Sequence, residues 1–335
     1  MSHYQHLSIE EREKILVLRT EKKNLHSIAK EIGRDVSTIS REISRNSKAH
    51  KEYSAATAQN KYRERRKKCR RIKLLEDVGL HDKVRRLFLD QQWSPEQISN
   101  RLAHENSPFR ISYNTIYRAV YTGMFDTPEQ KHSTGNRGAI RKLRHRGKTR
   151  HKKGKVETRG KIVISNMIEN RPSEANERKE IGHWEADTLI GKIGAPCLVT
   201  MTDRYSRYLL AEKIAKRSSQ PLADKMIAIF SANPKKYLKS ITPDRGIEFA
   251  KHAQITQSLN GVQFYFPAPH SPWQRGTNEN TNGLIREYFP KSFDFSSCSD
   301  QDVALIVKKI NKRPRKCLGW KSPFEVFFQK VLHLT

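Results

Sequence analysis

From Ile181 to Tyr288, short apolar runs alternate with amphipathic stretches, and their order limits the fold more than any other feature of the 335 residues. Residues 181–190 (IGHWEADTLI) alternate enough for a strand, 195–202 (APCLVTMT) supply a second, and 208–214 a third. The Asp203-Arg204-Tyr205-Ser206 stretch is a turn signal, so the second and third strands form a hairpin. A helix fits 220–231, with Pro221 in its first turn. A short strand at 239–242 then runs into Asp244-Arg245-Gly246. A helix over 247–258 and a strand over 262–266 follow. Beyond Pro267, Pro269 and Pro272 comes a helix over 277–288. The order β-β-β-α-β-α-β-α predicts an α/β domain, a mixed sheet flanked by helices.

Three acids hold distinctive places in that order. Asp187 lies on the first strand, Asp244 ends a later one just before Gly246, and Glu279 opens a helix. Separate elements of this kind converge on one end of a sheet. Three carboxylates there make a hard oxygen site suited to two Mg²⁺ ions, with Mn²⁺ equally compatible with the ligands. Two such ions activate an attacking oxygen and stabilise a leaving one in phosphoryl displacement, so no covalent protein nucleophile is needed. Other acids compete. Glu185 shares a strand face with Asp187, as a ligand or as a group orienting one. Asp203 falls in a turn, where Asp commonly bonds locally. Glu248 lies four residues beyond Asp244, and Glu287 reads as a solvated or paired charge. Spacing alone leaves the choice open.

The front of the chain is helical. Ser8 and Glu11 form a capping box, followed by the apolar stripe Ile9, Ile15, Leu16 and Leu18. A second helix runs from about Leu25 to Ile32 and stops at Gly33, which suits a left-handed end. Asp35 caps a third helix that buries Val36, Ile39 and Ile43. Its other face carries Ser37, Thr38, Ser40, Arg41 and Arg45. This is the helix-turn-helix plan, whose last helix enters the major groove. A bundle with a solvated face is the alternative. Residues 93–123 repeat the plan: Ser94-Pro95-Glu96-Gln97 starts one helix and Ser112 the next. Tyr113, Asn114, Thr115, Tyr117 and Arg118 then face outward, toward DNA or toward protein.

Composition names the partner class. Lys+Arg is 65 against Asp+Glu 35, a net charge of +30. Such a chain calls for a polyanion, and nucleic acid is the commonest. Residues 61–73 hold nine Lys/Arg and residues 131–160 hold twelve, whereas 91–130 is nearly neutral. The chain therefore divides into a helix-turn-helix at 1–50, a basic helical linker at 51–90, a second helix-turn-helix at 91–125, a basic linker at 126–165 and a catalytic domain at 166–335. Cys69, Cys197, Cys298 and Cys317 form no C-x-x-C pair, so neither a zinc site nor a disulfide framework is indicated and a reducing compartment fits. An early cluster of acids argues against a secretory signal.

The motifs carry a family resemblance. ISREISRN (39–46), WSPEQIS (93–99), GHWEADTLIG (182–191), TDRYSRY (202–208), ITPDRGIEFA (241–250), HSPWQRGTNENTNGLIREYFPK (270–291) and NKRPRKCLGWKSPFEVF (311–327) resemble the IS-thirty family of bacterial insertion-sequence transposases, which is similar to retroviral integrases. The resemblance implies a ribonuclease-H-like fold and places the catalytic, metal-binding carboxylates on Asp187, Asp244 and Glu279. Thirty-four residues separate the last two. It further implies cytoplasmic, nucleoid-associated binding of double-stranded DNA at the element's terminal inverted repeats, then cleavage and strand transfer by a homodimer or larger homo-oligomer. Arg275, Glu279, Asn282 and Arg286 share a helical face. On it Arg275 and Arg286 would hold phosphates, and Asn278 and Asn282 would contact sugar or base. Ion pairs to nearby acids are the alternative for both arginines. Trp273 reads as core, with stacking on an exposed base as the alternative. Arg313, Arg315 and Lys316 make a corner that clamps DNA or shapes a turn. Pro243 departs from the family, where a bulky apolar residue is usual. Proline cannot donate to a sheet ladder, so it ends the strand or alters its geometry.

Overall fold

The capping box of Ser8 and Glu11 starts helix α1 (Ile9–Thr20), and Asn24 caps α2 (Leu25–Ile32). Gly33 takes the left-handed conformation (φ +71°), and Asp35 caps α3 (Val36–Asn46) through the Ser37 amide. Helix α4 (Ala55–Lys68) buries Ala55 and Ala58 and ends in four consecutive basic residues. Its first half packs with Ile15, Leu18, Ile28, Ala29 and Ile39, so the basic helix is anchored at one end. Buried Arg12 ties three helices together, donating to Glu42 (2.7 Å) and Gln59 (2.5 Å). These elements belong to the first of two compact units, Met1–Glu76 and Asp77–Thr335. The computed structural model describes residues 5–47, 52–69, 74–126, 139, 143, 162–269 and 271–334. Most of the expected basic linker at 126–165 lies outside them.

The second unit opens with α5 (Val78–Arg85), which runs into a π-helical turn. The helix pair α6 (Pro95–His104) and α7 (Tyr113–Tyr121) follows, started by a Ser94–Gln97 capping box and by Ser112. After the two-residue strand β1 (Asn166–Met167) and α8 (Ser173–Glu177) come β2 (His183–Leu189), β3 (Cys197–Asp203) and β4 (Leu209–Ile214), an antiparallel meander. Then follow α9 (Ser219–Ser231), β5 (Ser240–Thr242), α10 (His252–Ser258), β6 (Gln263–Phe266), α11 (Gly276–Ile285), α12 (Asp300–Lys312) and α13 (Pro323–Phe328). The sheet order is β1-β6-β5-β2-β3-β4, with β2, β5, β6 and β1 mutually parallel. The expected element order is thus observed. Strand β5 stops at Thr242, so Pro243 lies past the ladder it could not join. The helix expected over 247–258 is broken: a 3₁₀ turn at Ile247–Phe249 precedes α10. There the Glu248 carboxylate folds back against Gly246 and leaves no room for a Cβ.

Strand periodicity divides the core into two layers. Trp184, Ala186, Val199 and Met201 face Leu222, Met226 and Phe230 of α9. Leu189, Leu198, Leu209 and Ala211 face Leu284 and Ile285 of α11 and Val303 and Ile310 of α12. Glu185 and Asp187 share the Leu189 face and therefore point toward α11. No helix among the described residues is long and apolar enough to cross a membrane.

Candidate active site

Asp187 sits in the middle of the sheet, opposite Thr200 on β3. Its Oδ1 accepts the Thr188 amide at 2.8 Å and its Oδ2 accepts the Asn282 side chain of α11 at 3.2 Å. Arg275 reaches to 3.9 Å of the same carboxylate. Asp244, buried just beyond β5, accepts the Gly246 amide at 2.9 Å. Burial, then the negative charge of Asp244, push the Asp187 carboxyl up to about 6; Arg275 opposes them. Two carboxylates are thus crowded at the carboxyl end of β5.

Glu279 stands apart from this pair. It is exposed on the first turn of α11, and among the described residues no three His, Cys, Asp or Glu side chains gather closely enough to hold a metal. Its neighbours on the helical face, Arg275 four residues before and Asn282 three after, both approach Asp187.

The competing acids have other partners. Glu185 is fully buried, paired with Arg204, and accepts the Asn278 amide at 2.8 Å, which pins the start of α11 to the sheet. Asp203 accepts Ser206 twice and the Gly182 amide, fixing the β3–β4 turn. Glu287 pairs with Arg313 at 2.7 Å. Glu248 is 1% exposed, and one oxygen accepts Thr188 (2.8 Å) and Arg217 (2.6 Å) while the other has no hydrogen-bond partner. Its charge also raises Asp187, so it borders the site, an involvement that distance along the chain does not single out.

Several expected contacts are placed differently. Asn278 is fully buried and accepts Thr202 at 2.8 Å, so it is a strut between α11 and β3 rather than a DNA-facing side chain. Arg286 is half-buried, donating to the Ile190 carbonyl (2.6 Å) and the Pro290 carbonyl (3.2 Å), where it closes the end of α11. Trp273, expected in the core, is 73% exposed on the 3₁₀ turn before α11. At the basic corner, Arg313 and Arg315 are buried and Lys316 pairs with Glu96 of α6, so this corner joins the second helix pair to the catalytic half. On α3, Ser37, Ser40, Arg41 and Arg45 are exposed or half-buried, as is Thr38. On α7, Tyr113, Asn114 and Arg118 are exposed or half-buried, as is Thr115.

The raised Asp187 carboxyl has a testable consequence. Its folded value lies above an unfolded aspartate, near 4. The stability it contributes is therefore full below about pH 4 and is lost as pH rises through about 6. In EDTA at pH 8, Asp187→Asn should melt a few degrees above wild type, with no difference at pH 4. Divalent cation should raise the melting temperature of wild type and not of the variant. Coincident melting curves at pH 8 would refute the crowding of these two charges.

A mixed sheet of this order, with carboxylates at the end of its central parallel strands, belongs to the ribonuclease-H-like polynucleotidyl transferases. The family model described as an integrase core domain matches residues 177–272, and one described as a helix-turn-helix domain matches residues 3–46. The transposase for insertion sequence element IS1086 of Cupriavidus metallidurans is 36% identical, over 99% of this chain and 97% of its own. Transposase InsI of element IS30A of Escherichia coli is 37% identical, over 97% of this chain and 84% of its own. The transposase of element IS4351 of Bacteroides fragilis is 36% identical, over 97% and 96%. The chain belongs to the IS30 family of insertion-sequence transposases. It binds DNA and catalyses strand cleavage and transfer, chemistry that depends on divalent metal in integrase cores.

Proposed function

We propose that Asp187, Asp244 and Glu279 are the three metal-holding carboxylates, and that they work with two ions, Mg²⁺ or Mn²⁺. The observation that carries this reading is the crowding of Asp187 and Asp244 beneath the two side chains that flank Glu279. The residues fit such ions. The donors are hard oxygens, the charge of Asp244 raises Asp187 in a way a cation would relieve, and the Asn282 Oδ1 is buried with no partner. When bound, the ions activate the attacking oxygen, water for cleavage or a DNA 3′-hydroxyl for joining, and stabilise the leaving oxygen.

The protein's own groups prepare the site. Asn282 orients the Asp187 carboxylate. Arg275 offsets its charge and, from the same position, is the group that would meet a phosphate. Glu185, Arg204 and Asn278 hold the start of α11 against the sheet, which fixes the backbone that carries Glu279. The outward side chains of α3 read the terminal inverted repeats, with Tyr113, Asn114, Thr115 and Arg118 of α7 as a second contact surface. At least two protomers hold the two ends together. Module boundaries at 1–50, 51–90, 91–125, 126–165 and 166–335 belong to the same reading.

The test is a cleavage and joining assay on labelled DNA carrying the element's ends, with Mg²⁺, Mn²⁺ or EDTA. Metal-dependent nicks at the ends together with joined products are expected. Tight end binding with no strand chemistry under either ion would sink the proposal in favour of a DNA-binding regulator.

A further inference from the structure

A cavity of about 560 Å³ lies beside the β3–β4 turn, lined by Arg178, Arg207, Lys321, Lys330, Glu325 and Tyr205 among others. Its positive charge is not balanced from within. Glu325, the one acid in the lining among the described residues, is committed to buried Arg101 through two hydrogen bonds of 2.8 Å. Arg207 has a buried Nη1 with no hydrogen-bond partner. Leaving a charged donor unsatisfied costs more than leaving a neutral one, and an anion removes that cost.

The backbone holds both arginines in place. Arg178 (φ +56°) ends α8 and Arg207 (φ +64°) closes the β3–β4 turn, each in the left-handed region that L side chains disfavour. Asp203 secures that turn by accepting Ser206 and Gly182, and the Arg207 amide donates to the Asp203 carbonyl at 3.0 Å. Burial first, then the charges of Arg207 and Arg204, make Arg178 give up its proton more readily than an ordinary arginine. The guanidinium groups of Arg207 and Arg204 are thus near enough to act on that of Arg178.

The cavity is also placed along a path from the active site. Arg178 donates to Thr277 at 3.3 Å, two residues before Glu279 on α11. Asp203, at the turn, pairs with Trp184, whereas Thr200 pairs with Asp187. The turn therefore lies roughly 10 Å along the ladder from Asp187 at about 3.4 Å per residue. That distance suits a neighbouring part of one bound strand.

We propose that this cavity binds backbone phosphates of the DNA strand engaged at the active site, with Arg178 and Arg207 gripping the oxyanion and Lys321 and Lys330 at its rim. The chemistry recognised is a phosphate oxyanion, and its assignment to DNA rests on the active-site reading above.

The experiment measures binding of the full-length protein to a duplex bearing the element's ends, by fluorescence anisotropy in EDTA, between about 50 and 200 mM salt. Every phosphate that a variant no longer neutralises should lower the slope of log K against log salt by about 0.9. Arg207→Gln should lower it by one such step. The double variant Lys321→Gln/Lys330→Gln, both exposed and safe for folding, should lower it by up to two. Lys308→Gln, exposed on α12 outside the cavity, should leave it unchanged. Unchanged slopes in both cavity variants, or an equal drop in Lys308→Gln, would overturn the proposal. A second arm titrates inorganic phosphate and follows the melting temperature. Stabilisation of wild type but not of Arg207→Gln, with unchanged DNA slopes, would make this a small-anion site and overturn the DNA assignment. Since EDTA removes cleavage from the measurement, a wild-type protein without strand chemistry would fail the active-site reading and leave these slopes interpretable.

Discussion

Glu279→Gln should reduce metal-dependent cleavage and joining by about 10³-fold or more, while end binding in EDTA stays at the wild-type level. The amide keeps the shape of the side chain and removes its anionic oxygen. Metal-assisted charge stabilisation is worth several kcal/mol, and each ~1.4 kcal/mol is tenfold in rate. Glu279 is exposed, so the exchange leaves the fold within about 0.5 kcal/mol of wild type. A drop in activity in this variant is therefore a defect of chemistry. The same cannot be said of Asp187, where the exchange alters stability as well. Full activity in Glu279→Gln would show that another acid completes the site. Glu248 would then be next, because it is buried, has one unpartnered oxygen and already acts on Asp187.

Local chemistry is legible in the sequence where the deciding partners are two to four residues apart. The capping boxes at Ser8 and Ser94, the Asp35 cap and the left-handed Gly33 all form as their spacing requires. Strand alternation likewise places Glu185 and Asp187 on one face. The failures share a different cause. Asn278 is polar and sits beside Glu279, so in sequence it reads as a DNA contact. Its partners, Thr202 and Glu185, lie 76 and 93 residues away, and they make burial possible. Trp273 reads as core because large aromatics usually are, yet the turn that carries it faces outward. Strand β1 spans two residues, too few for any periodicity to register. The basic corner at Arg313 to Lys316 leaves two readings open in sequence. Its pairing with Gln97 and Glu96 depends on a helix more than 200 residues earlier.

Arg101→Met should destabilise the second unit by about 3–5 kcal/mol, the cost of leaving buried charge unpaired. Arg101 is fully buried on α6, and its five N–H donors are all engaged. They reach Glu105 (2.6 Å), both oxygens of Glu325 (2.8 Å each), the Trp320 carbonyl (2.9 Å) and the Leu332 carbonyl (2.6 Å). Without the guanidinium, two carboxylates and two carbonyls remain in the interior, and the tie between α6 and the C-terminal segment is broken. Arg101→Lys should fall well short of rescue, because an ammonium cannot bind Glu325 in two-pronged fashion. Arg101→Met/Glu325→Leu should recover part of the stability, since removing both partners of a buried pair costs less than removing one. Acid should act through the same ion pair. Burial opposes ionisation of Glu325, but the Arg101 and Ser322 bonds outweigh it and hold the carboxyl at about 2. Its contribution is therefore present above the ordinary glutamate value near 4 and is lost as pH falls toward 2. Urea melts of the three variants at pH 7, and of wild type between pH 5 and 2, measure both effects. If Arg101→Met unfolds at the wild-type midpoint, this buried network does not hold α6 to the catalytic half.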